Sequence, residues 1–138
     1  MSGVEDVISR VPMFAKLARK DLKSLAASMK ERTFTTGTVI TEPGQSGVGF
    51  FVIESGSATV TVGGENRRTL KAGDYFGEIA LIDDGPRTAR ITADTDVRCY
   101  GLTAWDFRPF VQAHPDVAWS LLETLARRVR EAESRLSQ

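Results

Sequence analysis

One cysteine and one histidine in 138 residues exclude several kinds of chemistry at once. A lone Cys99 forbids an internal disulfide, and its place in the strand-like run 96–102 suits a small buried apolar side chain rather than a reactive thiol. With only His114 and no His/Cys/carboxylate cluster, neither a bound metal nor a metal-dependent barrel enzyme is expected. Net charge is missing too. Eighteen Lys and Arg balance eighteen Asp and Glu, so the overall electrostatics do not call for nucleic acid or an anionic membrane. No apolar run approaches the ~18 residues of a membrane span, and the start MSGVEDVISR is too acidic and polar for a secretory signal. The GxxxxGK[ST] loop that cradles triphosphates is absent. A cytoplasmic, metal-free, non-enzymatic protein is the expectation.

What is present divides into three zones of one domain, residues 1–138. Residues 1–33 read as a helix pair: Val7, Ile8, Val11, Phe14, Leu17, Leu22, Leu25, Ala26 and Met29 recur mostly at steps of three and four up to about Arg32. Pro12 divides them, since an internal proline removes a backbone donor. The second helix starts near Arg19, with Ala18 as a poor N-cap. Residues 34–103 change to short runs punctuated by glycine: 38–41, 50–53, 58–62 and 68–70. Turn signals at that spacing predict a small antiparallel jelly-roll barrel, with Gly63-Gly64 as a tight hairpin. From Ala104 helices return, broken at His114-Pro115, and 104–138 is read as a C-terminal helix pair. Ala118, Leu122, Leu125, Val129, Ala132 and Leu136 form a heptad seam shorter than the three to four repeats that define a coiled coil. Trp105 and Trp119 are expected to pack, and His114 to cap or lie at the surface.

The stretch FGEIALIDDGPRTARITA (76–93) breaks the strand rhythm. Residues 78–82 fit a single helical turn opened by Gly77 and closed by 83–86. The free N–H groups at the start of such a turn attract an anion. Arg87 offers a fork of donors to a phosphate. Glu78 accepts hydrogen bonds only and wants hydroxyl donors, which a ribose supplies. One clear cation matches a singly charged phosphate, and Thr88 adds a hydroxyl.

Phe76-Gly77-Glu78-Ile79-Ala80-Leu81, a short loop and Pro86-Arg87-Thr88-Ala89 resemble the phosphate-binding cassette of the cyclic nucleotide-binding domain family, the barrel of cyclic AMP receptors and kinase regulatory subunits. Val11-Pro12-Met13-Phe14 with Leu17, then Gly44, Phe51-Val52-Ile53, Gly56 and Gly73-Asp74, resemble its other landmarks in order and spacing, over roughly residues 8 to 130. The resemblance implies that Glu78 bonds the ribose 2′-hydroxyl and that Arg87 pairs with the exocyclic phosphate oxygens. It implies backbone contacts from Gly77, Ile79, Ala80 and Ala89 beside Phe76, and a contact from Thr88 to phosphate or base. A hydroxyl at Thr88 is compatible with both purines; cyclic AMP is the preferred ligand and cyclic GMP the second. Arg128 and Arg130 on the last helix are the candidates for a lid over the base. Arg90 departs from the family pattern, where a small Thr or Ser is usual. It is expected on the same strand face as Thr88, as a second phosphate contact or a filler of the cavity.

The expected function is a sensor module that couples nucleotide binding to movement of the C-terminal helices, with a homodimer through 118–136 or an effector protein as partner. One alternative is a cyclic AMP-responsive transcription regulator lacking its DNA-binding domain, since no basic recognition helix is seen before Gln138 and the chain by itself is not expected to bind DNA. The other is a ligand-free interaction barrel with a degenerate cassette.

Overall fold

The computed structural model describes residues 3–42, 50–77 and 89–136. Its antiparallel strands lie in two four-stranded sheets. The first runs β1 (Lys30–Phe34), β8 (Val97–Leu102), β3 (Phe50–Ser55), β6 (Tyr75–Phe76); the second runs β2 (Val39–Thr41), β7 (Arg90–Ala93), β4 (Ala58–Val62), β5 (Glu65–Leu70). Helices α1 (Gly3–Ser9) and α2 (Arg19–Ser28), with a 3-10 turn at Pro12–Phe14 between them, precede the strands, and α3 (Ala104–Ala113) and α4 (Pro115–Leu136) follow. This is the expected jelly-roll barrel flanked by helix pairs. The hairpin is as expected: Gly63 and Gly64 both take positive φ, 61° and 82°, which an L-residue with a side chain adopts at a cost.

Strand β3 explains how the barrel and helices share one core. All of Phe50-Phe51-Val52-Ile53 is buried, because successive residues point to opposite faces and both faces are covered. Phe50 and Val52 join Phe14, Leu25, Phe107 and Leu121 in a cluster between the first sheet and the helices. Phe51 and Ile53 point the other way and pack with Leu70, Phe76, Ile91 and Cys99 inside the barrel. Strand β8 splits the same way, Tyr100 and Leu102 toward the helices, Val97 and Cys99 inward. Cys99 is therefore the buried apolar residue expected of it, and burial pushes its thiol up to about 11.

Two expectations need correction. The helical pattern does not reach Arg32: Met29 turns extended at φ −89°, ψ 146°, and Lys30–Phe34 pairs along its length with β8. The five residues have no strand-like alternation, and β8 supplies the partner that periodicity could not predict. Ala18 is the N-cap and makes no side-chain cap bond, as anticipated. The heptad seam of α4 meets the core only in part, through the half-buried Leu125. Val117, Leu121 and Thr124 are buried, one residue ahead of the seam, while Leu122, Val129 and Leu136 are exposed. Trp105 and Trp119 are 89% and 66% exposed and do not pack into the core. His114 caps α3, its backbone N–H donating to the Val111 carbonyl and its ring 4.5 Å from that of Phe110.

Candidate ligand-binding site

The two ends of the 76–89 stretch are held by different sheets. Phe76 ends β6, an edge strand of the first sheet; Ala89 leads into β7, an inner strand of the second. Phe76 is almost fully buried and stacks on Phe51 with ring centroids 5.2 Å apart and planes 25° apart. Gly77 then takes φ +90°, a left-handed turn that leads the chain off the strand where a β-carbon would be strained. At the far end the Ala89 carbonyl accepts a 3.2 Å hydrogen bond from Oγ1 of Thr41, a residue only 5% exposed. Ala89 itself packs against the barrel interior. Glu78, Ile79, Ala80, Arg87 and Thr88 lie outside the described residues.

Arg90 has a definite place. Its guanidinium donates twice to the Glu42 carboxylate, Nε to Oε1 at 3.1 Å and a terminal nitrogen to Oε2 at 3.2 Å. That hydrogen bond and the neighbouring charge raise its pKa further above the usual arginine value. Ile91 and Ala93 point into the barrel and Arg90 is exposed. Its donors thus close the seam between the end of β2 and the start of β7, beside the Thr41–Ala89 bond. Nothing in the sequence marks Glu42 as its partner 48 residues away.

On the helical side, Arg128 lines a cleft of about 690 Å³ between the β4–β5 hairpin and the last turns of α4. The hairpin wall is Val62, Arg67 and Arg68. Val62 and Ala89 pack on the same interior cluster, and Thr61 pairs with Arg90, so the cleft adjoins the exit of the 76–89 stretch. Arg130 is exposed and is not part of that wall. Arg67 and Arg68 were not singled out as site residues by sequence reasoning; the paired arginines just past Gly63-Gly64 were the available signal. Among the described residues no group of three or more His, Cys, Asp or Glu is placed to hold a metal, and no helix is long and apolar enough to cross a membrane.

A family model described as "Cyclic nucleotide-binding domain" matches residues 31–114, which include the whole 76–89 stretch. The chain belongs to the cyclic nucleotide-binding domain family. Within that family it is 39% identical over 99 residues to the cAMP-dependent protein kinase regulatory subunit of Yarrowia lipolytica, a match covering 70% of this chain and 26% of that protein. It is 33% identical over 122 residues to a cyclic nucleotide-gated potassium channel of Rhizobium etli, covering 88% of this chain and 34% of the channel. Among solved structures, the catabolite activator protein of Thermus thermophilus superposes with a TM-score of 0.83 at 30% identity, over 91% of this chain and 62% of that one. The chain thus spans about a quarter to a third of the length of these two curated relatives. The fold and family expected from the cassette residues are those observed.

Proposed function

We propose that this cyclic nucleotide-binding domain is a non-catalytic sensor of cyclic AMP, with cyclic GMP as the second ligand, in a cytoplasmic protein. The reading is carried by one observation: the family match runs through the cassette, and the sequence retains both Glu78 and Arg87 there. Glu78 takes the ribose 2′-hydroxyl, because a carboxylate only accepts. Arg87 takes the exocyclic phosphate oxygens through its paired donors. Gly77, Ile79, Ala80 and Ala89 contribute backbone contacts beside Phe76, Thr88 meets the phosphate or the base, and Arg128 closes over the base from α4. Arg130, exposed and away from the cleft wall, is the weaker lid candidate.

Ligand binding acts on α4, whose inner stripe holds it to the core through Val117 and Leu121. Any shift in helix position is limited by the nucleotide's differential affinity for the two positions. The outer face of α4 presents Trp119, Leu122, Val129 and Leu136, a surface suited to a second copy or an effector. Of the two alternatives, the ligand-free barrel is separated from the sensor by a binding measurement; a cyclic AMP-responsive transcription regulator also binds the nucleotide and is distinguished by a DNA-binding output domain.

That measurement is titration calorimetry with each nucleotide on the wild type and on Arg87→Ala. Loss of one buried charge-assisted contact costs about 1.5–3 kcal/mol, a ten- to hundredfold drop in affinity. Micromolar or tighter binding that collapses in the variant supports the sensor. Absence of heat from a folded wild-type protein refutes it and leaves the interaction barrel.

A further inference from the structure

Helices α3 and α4, joined at the His114-Pro115 break, leave a groove of about 290 Å³ between them. Its walls are apolar: Phe107 and Val111 from α3, Ala118, Leu121 and Leu122 from α4. Two polar side chains complete the lining, Arg108 and Gln112, both exposed on α3. Arg108 is the one ionisable group of the lining, and among the described residues it forms no ion pair. None of these residues belongs to the 76–89 stretch or to the cleft that Arg128 lines. Leu122 alone is shared with the outer face of α4, where it is 56% exposed.

Apolar walls left facing water are relieved by an apolar occupant, which removes their surface from solvent and restores dispersion contacts. Arg108 sets the charge of that occupant. A guanidinium keeps its proton in proteins, and its forked donors match a carboxylate. No carboxylate lines the groove to neutralise Arg108 or to repel an anion. Gln112 lies four residues on, on the same face of α3, and its amide adds a neutral donor. The size of the space separates a chain from a helix. One turn of a helical peptide, ~5.4 Å long and ~10 Å across, takes about 420 Å³. That exceeds the whole groove, whereas one extended alkyl chain fits within it.

We propose that the α3–α4 groove binds a small singly charged amphiphile, a medium-chain carboxylate, with its apolar body between the two helices and its carboxylate on Arg108. Such an occupant touches both helices on either side of the His114-Pro115 break and so fixes the angle between them. Phe107 and Leu121 belong both to the groove and to the core cluster that holds the helices to the first sheet, so occupancy also tightens that attachment. Trp119 stands three residues before Leu122 on the same face of α4, and its 66% exposed side chain reports on the occupant. The site does not depend on the roles assigned to Glu78 and Arg87.

The test is calorimetric titration of the full chain with decanoate below its micelle-forming concentration, with tryptophan fluorescence as a second readout. Octanoate, decanol and decyltrimethylammonium are titrated beside it. Arg108→Gln removes the charge at an exposed position, Ala118→Phe fills the groove, and circular dichroism checks that both fold. The expected result is saturable micromolar binding of decanoate, about tenfold or more weaker in Arg108→Gln and lost in Ala118→Phe. Octanoate should bind about tenfold or more weakly than decanoate, since each methylene lost is worth about fourfold, and decanol should bind the wild type and Arg108→Gln alike. Equal decanoate affinity in Arg108→Gln overturns the proposal, as does decyltrimethylammonium binding as tightly, affinity independent of chain length, or binding only near the micelle-forming concentration. A dimer in sedimentation that decanoate does not dissociate also overturns it and assigns the groove to a second copy. Failure of the cyclic nucleotide titration with success of this one would refute the sensor reading alone.

Discussion

Replacing Gly101 by alanine tests how the barrel interior holds the start of the cassette. Gly101, Phe51 and Phe76 lie in one row across three strands, Phe51 opposite Gly101 on β8 and opposite Phe76 on β6. The Phe51 ring leans over the glycine. A β-carbon at Gly101 would sit 2.7 Å from Phe51 Cε1 and 3.0 Å from Cδ1. In an open strand, alanine in place of glycine gains about 0.5–1 kcal/mol through lower unfolded-state entropy. Here the new methyl forces the ring aside in a close-packed interior, an overpacking cost of about 1–3 kcal/mol. The cost wins, and Gly101→Ala is expected to be destabilised by roughly 1–2 kcal/mol.

On its other side the ring meets Phe76, which is 3% exposed and already in stacking contact. Urea unfolding followed by tryptophan fluorescence and circular dichroism measures the change; with a slope near 2 kcal/mol per molar, the midpoint falls by about 0.5–1 M. Because Phe76 immediately precedes Gly77, cyclic nucleotide affinity is expected to fall several-fold as well. Phe51→Leu alone loses the stacked pair, and in Gly101→Ala/Phe51→Leu the smaller side chain makes room for the methyl. The double variant should therefore be less destabilised than the two single changes summed, with a coupling of about 1 kcal/mol. A Gly101→Ala protein as stable as the wild type, or additive behaviour in the cycle, refutes the steric argument.

Other outcomes follow from local features. Thr103→Ala removes the hydroxyl that accepts from the Asp106 N–H at the start of α3, and should cost about 0.5–2 kcal/mol in urea unfolding. Burial holds the Cys99 thiol up to about 11 against an ordinary 9.0, while burial and then the hydrogen bond to Glu54 hold Tyr100 up to about 12 against 10.0. Both groups lose their protons earlier in the unfolded chain, so stability should be level through neutral pH and decline as pH rises from about 9 toward 12; a flat profile across that window would contradict this. At pH 8, iodoacetamide should alkylate Cys99 far more slowly in the folded protein than in urea. If the outer face of α4 joins two copies, Leu122→Glu/Val129→Glu should abolish dimers in sedimentation while leaving the urea midpoint nearly unchanged, since both positions are more than half exposed.

Much of this protein is legible in its sequence because the signals are local. The β-branched runs at 58–62 and 50–53, the Gly63-Gly64 hairpin and the His114-Pro115 helix break act through neighbouring residues and appear where they were expected. The cassette is legible as residue types: Glu78 and Arg87 suit a ribose and a phosphate by their chemistry alone, although their side chains lie outside the described residues. Tertiary structure decided what depends on partners distant in the chain. Lys30–Phe34 is a strand because β8 pairs with it, not because of its pattern. Phe50 to Ile53 is buried on both faces because helices cover the outside of the barrel. The packing stripe of α4 is Val117–Leu121–Thr124 because the core it meets sets the helix's rotation, which periodicity leaves free by one residue. Arg90 meets Glu42, and four arginines line one cleft, only because folding brings separate segments together: local periodicity encodes which face is apolar, and long-range packing decides what each face meets.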